Sequence, residues 1–333
     1  MDSLTQIVLG GAVGEVVLGK KVGNKAILWG AIAGTIPDLD VFIGMLFDTV
    51  TRMEMHRGFS HSILFSILFA PIFGWLVWKL YKKKEASWKD WNILMFWCLF
   101  THPLLDAHTS WGTQLFWPLP YKVAYNNIFV VDPLYTVPFL VFLILAMTKP
   151  KTSKIRRKLN WWGIGISSSY MVLTIIFKLI AIQAFETNLQ KQQIAYSKFT
   201  VRPAPLTSLL WTANIETTDS FLTGYYSLLD TSENISFNSF YKNHEALGEM
   251  AHEDKVKRLI ELTKHAYTIS EKDGKVFLND LRFGQMGFEP ESDFVFQFEL
   301  KYKNGELLAF ENRKEPKDAQ SSFGALWQRI KGI

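Results

Sequence analysis

Two patterns of apolar spacing divide the chain. Through about residue 185 the apolar positions run together in long stretches; from 186 to 333 they alternate with polar ones or recur at helical spacing. Six stretches are long enough to span or nearly span a bilayer: residues 4–18, 26 to about 47, 61–80, 91–105, 133–147 and 161–185. The first is short and glycine-rich, with Gly10, Gly11 and Gly14 suited to close helix contact, and could instead form a re-entrant hairpin. The expectation is therefore five or six membrane segments. The second stretch is interrupted by Pro37-Asp38-Leu39-Asp40.

The tail reads as a soluble α+β domain. Residues 209–215, 221–228 and 294–302 alternate as strands do, and 244–265 has helical periodicity. Residues 267–270 and 275–278 flank Lys272-Asp273-Gly274, the signature of a hairpin turn. The expected domains are a helical membrane domain over 1–185 and an extracytoplasmic α+β domain over 186–333.

Charge adds an orientation. The membrane half carries 18 Lys/Arg against 10 Asp/Glu, the tail 18 against 21. Most of the first 18 fall in three loops: Lys20, Lys21 and Lys25; Lys79, Lys82, Lys83, Lys84 and Lys89; Lys149, Lys151, Lys154, Arg156, Arg157 and Lys158. These are every second loop, which the positive-inside rule assigns to the cytoplasm. The N-terminus, the loops 48–60 and 107–132, and the tail are then expected to face outward. The basic excess thus reports topology and argues against nucleic-acid binding. The single cysteine, Cys98, lies in an apolar run and excludes an intramolecular disulfide. Met1-Asp2-Ser3 lacks a basic n-region, so no cleavable signal is expected.

The outward ends of the predicted segments gather polar residues: Asp2, Asp38, Asp40, His56-Arg57-Gly58-Phe59-Ser60-His61, His102, Asp106 and Asp132. His102 and Asp106, four residues apart, share a helix face. An aspartate at bilayer depth costs roughly 2.5–3.5 kcal/mol, so Asp38, Asp40 and Asp106 together approach about 8–10 kcal/mol, a whole domain's net stability. A divalent cation compensates such a cost directly, and imidazole with carboxylate suits zinc, with manganese or iron as alternatives. Asp38, Asp40, His56, His61, His102 and Asp106 are the candidate ligands, enough for one or two ions. Arg57 is the candidate contact for an anionic substrate, and Asp40 or Asp132 the candidate base. Asp132 alone reads equally well as a helix cap, and His108 reads as structural.

Met1-Asp2-Ser3-Leu4-Thr5-Gln6, Pro37-Asp38-Leu39-Asp40, His56-Arg57-Gly58-Phe59-Ser60-His61-Ser62 and His102-Pro103-Leu104-Leu105-Asp106 resemble the bacterial YdjM family. Trp111-Gly112-Thr113-Gln114-Leu115-Phe116-Trp117-Pro118 and Val131-Asp132-Pro133 fit the same pattern, and the resemblance covers about residues 1–150. It implies an inner-membrane, metal-dependent hydrolase. Gln6 departs from it, because the family often has His after Asp-x-x-Thr and glutamine is a poor metal ligand. The Asp280-Leu281-Arg282-Phe283-Gly284 segment looks like a feature of longer members.

The reading that follows is a hydrolase acting on a phosphorylated lipid or related ester at the outer face of the membrane, with membrane lipids as its surroundings. A cation transporter or channel is one rival, since intramembrane carboxylates and histidines also mark ion paths. A non-catalytic membrane protein with a structural metal is the other. A structural zinc closes with four protein ligands, fewer than the six candidates here.

Overall fold

The computed structural model describes residues 1–81, 86–289, 291–312 and 319–332; Lys82, Lys83 and Lys84 lie outside the described residues. The chain divides into two compact units, one of Met1–Leu46, Met55–Ile176 and Pro205–Ser208, the other of Phe47–Glu54, Phe177–Ala204 and Leu209–Ile333.

The first unit is helical. Its main elements are α1 (Ser3–Val22), α2 (Asn24–Thr35), the short α3 (Asp40–Gly44), α5 (Ile63–Leu80), α6 (Trp88–Asp106), α7 (Pro133–Met147) and the start of α8 (Lys154–Lys191). Asp2 caps α1 by accepting from the Thr5 backbone N at 3.1 Å, and Ser87 begins α6 with a capping box closed by Asp90. Helices α1 and α2 cross closely because Gly10 and Gly14 face Gly30 and Ala26. A Cβ on Gly10 would fall 2.2 Å from the Gly30 carbonyl oxygen, which no side chain tolerates. That crossing is the close contact the glycines of α1 predict. Trp91, Leu94, Met95 and Leu99 of α6 then pack with Leu18 and Val22 of α1 and Ala70 and Val77 of α5. A second cluster joins Val8 and Ala12 of α1 to Tyr135, Phe139 and Leu143 of α7.

By length and composition α5 and α8 can cross a membrane, and a third crossing is possible if α2 and the Pro37–Gly44 segment, bent by 40°, count as one. The five or six spans expected from sequence are therefore not supported. Helix α1 is diluted by Gln6, Glu15, Lys20 and Lys21, and α6 by Lys89, Asp90, Asn92, His102 and Asp106. Helix α7 is apolar but stops at 15 residues. Glu15 is not lost in this unit: Arg156 donates to it from Nε (2.7 Å) and Nη2 (2.5 Å), both side chains being buried.

The second unit holds two antiparallel four-stranded meanders. The first is β1 (Lys198–Pro203), β2 (Leu210–Glu216), β3 (Ser220–Ser227) and β4 (Phe237–Tyr241). The other is β5 (Tyr267–Lys272), β6 (Lys275–Gln285), β7 (Phe294–Lys303) and β8 (Glu306–Glu311). Trp211, Ala213 and Ile215 alternate along β2 and pack with Ala181, Phe185 and Leu189 at the end of α8, which runs through residue 185 without a break. The predicted hairpin turns at Asp273 (φ 53°) and Gly274 (φ 72°), the left-handed pair that a two-residue turn of this kind requires. The helix expected over 244–265 is instead split. A 3-10 stretch, His244–His252, breaks at Gly248 (φ 47°), and α9 (Asp254–Leu262) follows. Helix α4 (Thr49–Met55) also counts with this unit as far as Glu54. Arg258 of α9 donates from Nε to Glu54 Oε1 at 3.0 Å and from Nη2 to Thr51 Oγ1 at 2.9 Å. A last helix, α10 (Ala319–Ile330), ends the described chain.

Candidate metal centre

The break after α2 creates the first half of the site. Pro37 has no N–H to continue the helix, so the chain tightens into a 3-10 turn, Pro37–Leu39, before α3 resumes. Asp38 and Asp40 stand on this bend. A second turn supplies the histidines: Gly58 N donates to Met55 O, His61 N to Gly58 O, and Arg57 between them takes a left-handed φ of 59°. The last turn of α6 adds His102 and Asp106, one above the other.

Four side chains converge. Nε2 of His61 lies 3.1 Å from Nε2 of His102, 3.3 Å from Asp38 Oδ1 and 3.3 Å from Asp106 Oδ2. Nε2 of His102 lies 3.5 Å from each of the same two oxygens. Four ligands placed tetrahedrally at the usual zinc distances sit about 3.3–3.4 Å apart, so this is the spacing of a coordination shell. His61, His102 and Asp106 are fully buried, while the Asp38 side chain is 23% exposed.

The tautomers give the same answer. His102 Nδ1 lies 2.6 Å from the carbonyl oxygen of Gly34, which can only accept, so Nδ1 carries the proton and Nε2 a lone pair. His61 Nδ1 faces Asp40 Oδ2 at 3.3 Å and Ser60 Oγ at 3.0 Å, and Ser60 Oγ donates to Asp40. His61 Nδ1 is therefore the donor there as well. In the neutral rings both Nε2 lone pairs face two carboxylate oxygens, and Asp106 Oδ2 is a buried acceptor with no hydrogen-bond partner. Four converging acceptors in a buried place repel one another unless a cation or a proton sits among them. The cluster could hold one metal ion.

The surroundings orient these ligands as outer-shell groups do. Asp40 does not join the four. It accepts from the Arg57 backbone N at 3.0 Å and Ser60 Oγ at 3.0 Å, lies 3.0 Å from His56 Nδ1, and backs His61. His56 is also outside the four. Its ring is edge-on to His61, with centroids 5.9 Å apart, and edge-on to Trp111. Burial pulls His56 below its ordinary pKa, against the upward pull of its bond to Asp40. The six candidate ligands thus resolve into four at the centre and a His56–Asp40 pair beside it.

Arg57 is not offered to an anion at the surface. It is 4% exposed; Nη1 donates to Thr109 Oγ1 at 2.7 Å, and Nε lies 3.2 Å from Asp106 Oδ2 as its counter-charge. Asp132 is buried and saturated at the start of α7. It accepts from the Leu134 N (3.0 Å), Tyr135 N (3.3 Å), Tyr170 hydroxyl (3.0 Å) and Ser208 hydroxyl (2.9 Å), leaving little to act as a base. His108 pairs with Asn127 Oδ1 at 2.8 Å and packs on Tyr125, which is a structural role.

Gln6 reaches the centre by another route. Its Nε2 donates to Asp106 Oδ1 at 2.9 Å and to His102 O at 3.3 Å, and the Met1 amine also contacts Asp106 Oδ1. The N-terminal motif therefore serves as hydrogen-bond donor rather than ligand.

Apolar helices and a buried carboxylate–histidine cluster together define a membrane protein built around a candidate cation site. Residues 1–183 match the family model described as YdjM inner membrane protein, and the chain belongs to that family. No curated protein and no solved structure matches the chain.

Proposed function

We propose that this protein is a membrane-bound, metal-dependent hydrolase acting on a phosphorylated lipid or related ester. Asp38, His61, His102 and Asp106 hold a divalent cation, with zinc the best fit to two imidazoles and two carboxylates at tetrahedral spacing. When bound, such an ion supplies a Lewis acid and lowers the pKa of a bound water. The observation that carries the enzymatic reading is the His56–Asp40 pair next to the ligand His61. A carboxylate that holds one imidazole nitrogen leaves the other to take a proton, the arrangement of a positioned general base. Asp38, the one partly exposed ligand, marks the side open to substrate.

The lipid assignment is supported by two exposed apolar stretches that leave the site's own loops. Phe42, Ile43, Met45 and Leu46 follow Asp40, and Phe116, Leu119 and Tyr121 follow Gln114, whose backbone N bonds Arg57 O. Such stretches support a position at headgroup level. The outer face is the side that the lysine and arginine pattern of the sequence favours, and it belongs to the proposal.

One observation favours a structural metal instead: four protein ligands, three of them without solvent exposure, resemble a closed site. Turnover separates the two readings. The protein purified in detergent is assayed against phosphatase and phosphodiesterase substrates before chelation, after it, and after restoring zinc or manganese. A hydrolase loses and regains turnover with the metal. Tightly held metal with no substrate turned over supports the structural reading.

A further inference from the structure

Helix α10 is docked on one side only. Ile330 packs with Ala204 and Leu210 of the first sheet, and Leu326 packs beside them. Ser227, at the end of β3, donates from Oγ to the Ile330 carbonyl oxygen. Arg329 donates to Asp230 from Nη1 at 2.5 Å and from Nη2 at 2.9 Å. The other side carries Phe323 and Trp327, one turn apart, 58% and 51% exposed. Lys331, a further turn on, holds its ammonium 5.2 Å from the centre of the Trp327 ring. Leu229, which follows Ser227 by two residues, is also half exposed. Apolar side chains gathered on one exposed face mark a contact surface.

The same unit shows which surface lies within reach. Helix α8 is long and apolar enough to cross a membrane, and it still exposes Leu179 and Ile180. Ala181, Phe185 and Leu189 then pack into the first sheet. For a helix that crosses the bilayer, lipid contact ends there, and the sheet begins at the bilayer surface. Phe185 lies about 7.5 Å along the helix from Ile180. Its ring meets that of Tyr226 edge-on, with centroids 6.2 Å apart. Tyr226 precedes Ser227, the residue that ties down the end of α10. The anchored end of α10 is therefore at the end of the sheet next to the bilayer.

We propose that α10 is an interfacial helix, lying against the surface of the bilayer that α8 crosses. Phe323 and Trp327 sit among the lipid headgroups, where aromatic rings are favoured, and Lys331 runs past the Trp327 ring toward their phosphates.

The test is spin labelling of the full chain in nanodiscs of phosphatidylethanolamine and phosphatidylglycerol. Phe323→Cys and Trp327→Cys each carry a nitroxide, and each keeps the other ring. Both positions are exposed, so the fold is not at stake. Cys98 is buried, and wild type labelled in parallel corrects for any spin it takes up. Oxygen concentrates in lipid while a nickel chelate stays in water, so the two collision rates report what surrounds each nitroxide. Collisions with oxygen are expected to prevail over those with nickel at both positions. Nickel prevailing at either position puts the face in water and overturns the proposal. Low rates with both agents mean that protein covers the face, as in a second copy of the chain, and overturn it too.

Discussion

His61 and His102 meet Nε2 to Nε2 at 3.1 Å, each with its Nδ1 committed to an acceptor behind it, Asp40 for one and Gly34 O for the other. Two imidazoles fixed in this way have their lone pairs aimed at one point. The point is also where Asp38 and Asp106 bring an oxygen each, and it is this coincidence that makes the site a candidate metal site and not a set of capped helix ends.

His56 is expected to act on the reaction and not on the ion. His56→Ala should keep the bound metal and lower turnover by about 100- to 10,000-fold, the range of a lost general base. Metal content and kcat measured on the same preparation check this. Metal lost together with activity returns His56 to the ligand set.

Arg57 is expected to do the reverse. Lysine cannot span from Thr109 to Asp106 as the guanidinium does, so Arg57→Lys leaves Asp106 less well held. Metal affinity should fall about 10- to 100-fold, as it does when an outer-shell partner is lost. Titration with a competing chelator measures it. Unchanged affinity with activity abolished would instead mean that Arg57 meets an anionic substrate.

Orientation is checked by reporter fusions. One placed after Phe185 should be active only in a form that requires export, and one within Lys82, Lys83 and Lys84 only in a form that requires the cytoplasm. The opposite pair of results puts the metal centre on the cytoplasmic side and removes the case for an outer-leaflet substrate.

The four residues of the central cluster were legible as candidates because each sits at a helix break or end, where a charge in an apolar run has few structural excuses. What was not legible is which lone pairs face inward. Asp40 is two residues from Asp38 and His56 five from His61, but the 3-10 turn and the left-handed Arg57 turn send them behind the ligands. Gln6 stays outside the ligand cluster, as a poor ligand should, and its amide serves Asp106 as a donor, which its residue type alone does not tell. In the tail, β2, β3 and β7 were read from alternation, and β5 and β6 from the hairpin turn they flank. The three missed, β1, β4 and β8, are all edge strands, where one side faces no partner. Membrane segments were overcounted because helices in the first unit bury polar groups among themselves, as Glu15 and Arg156 do.

The most direct test of the central claim is the metal stoichiometry of the purified protein, wild type beside His102→Ala and Asp38→Ala. The account predicts one divalent cation per chain in the wild type. It predicts loss in both variants beyond the roughly 10- to 100-fold that an outer-shell change brings, while each still inserts into the membrane. A wild type that binds no ion when saturated with zinc or manganese, or variants that keep a full complement, would contradict it.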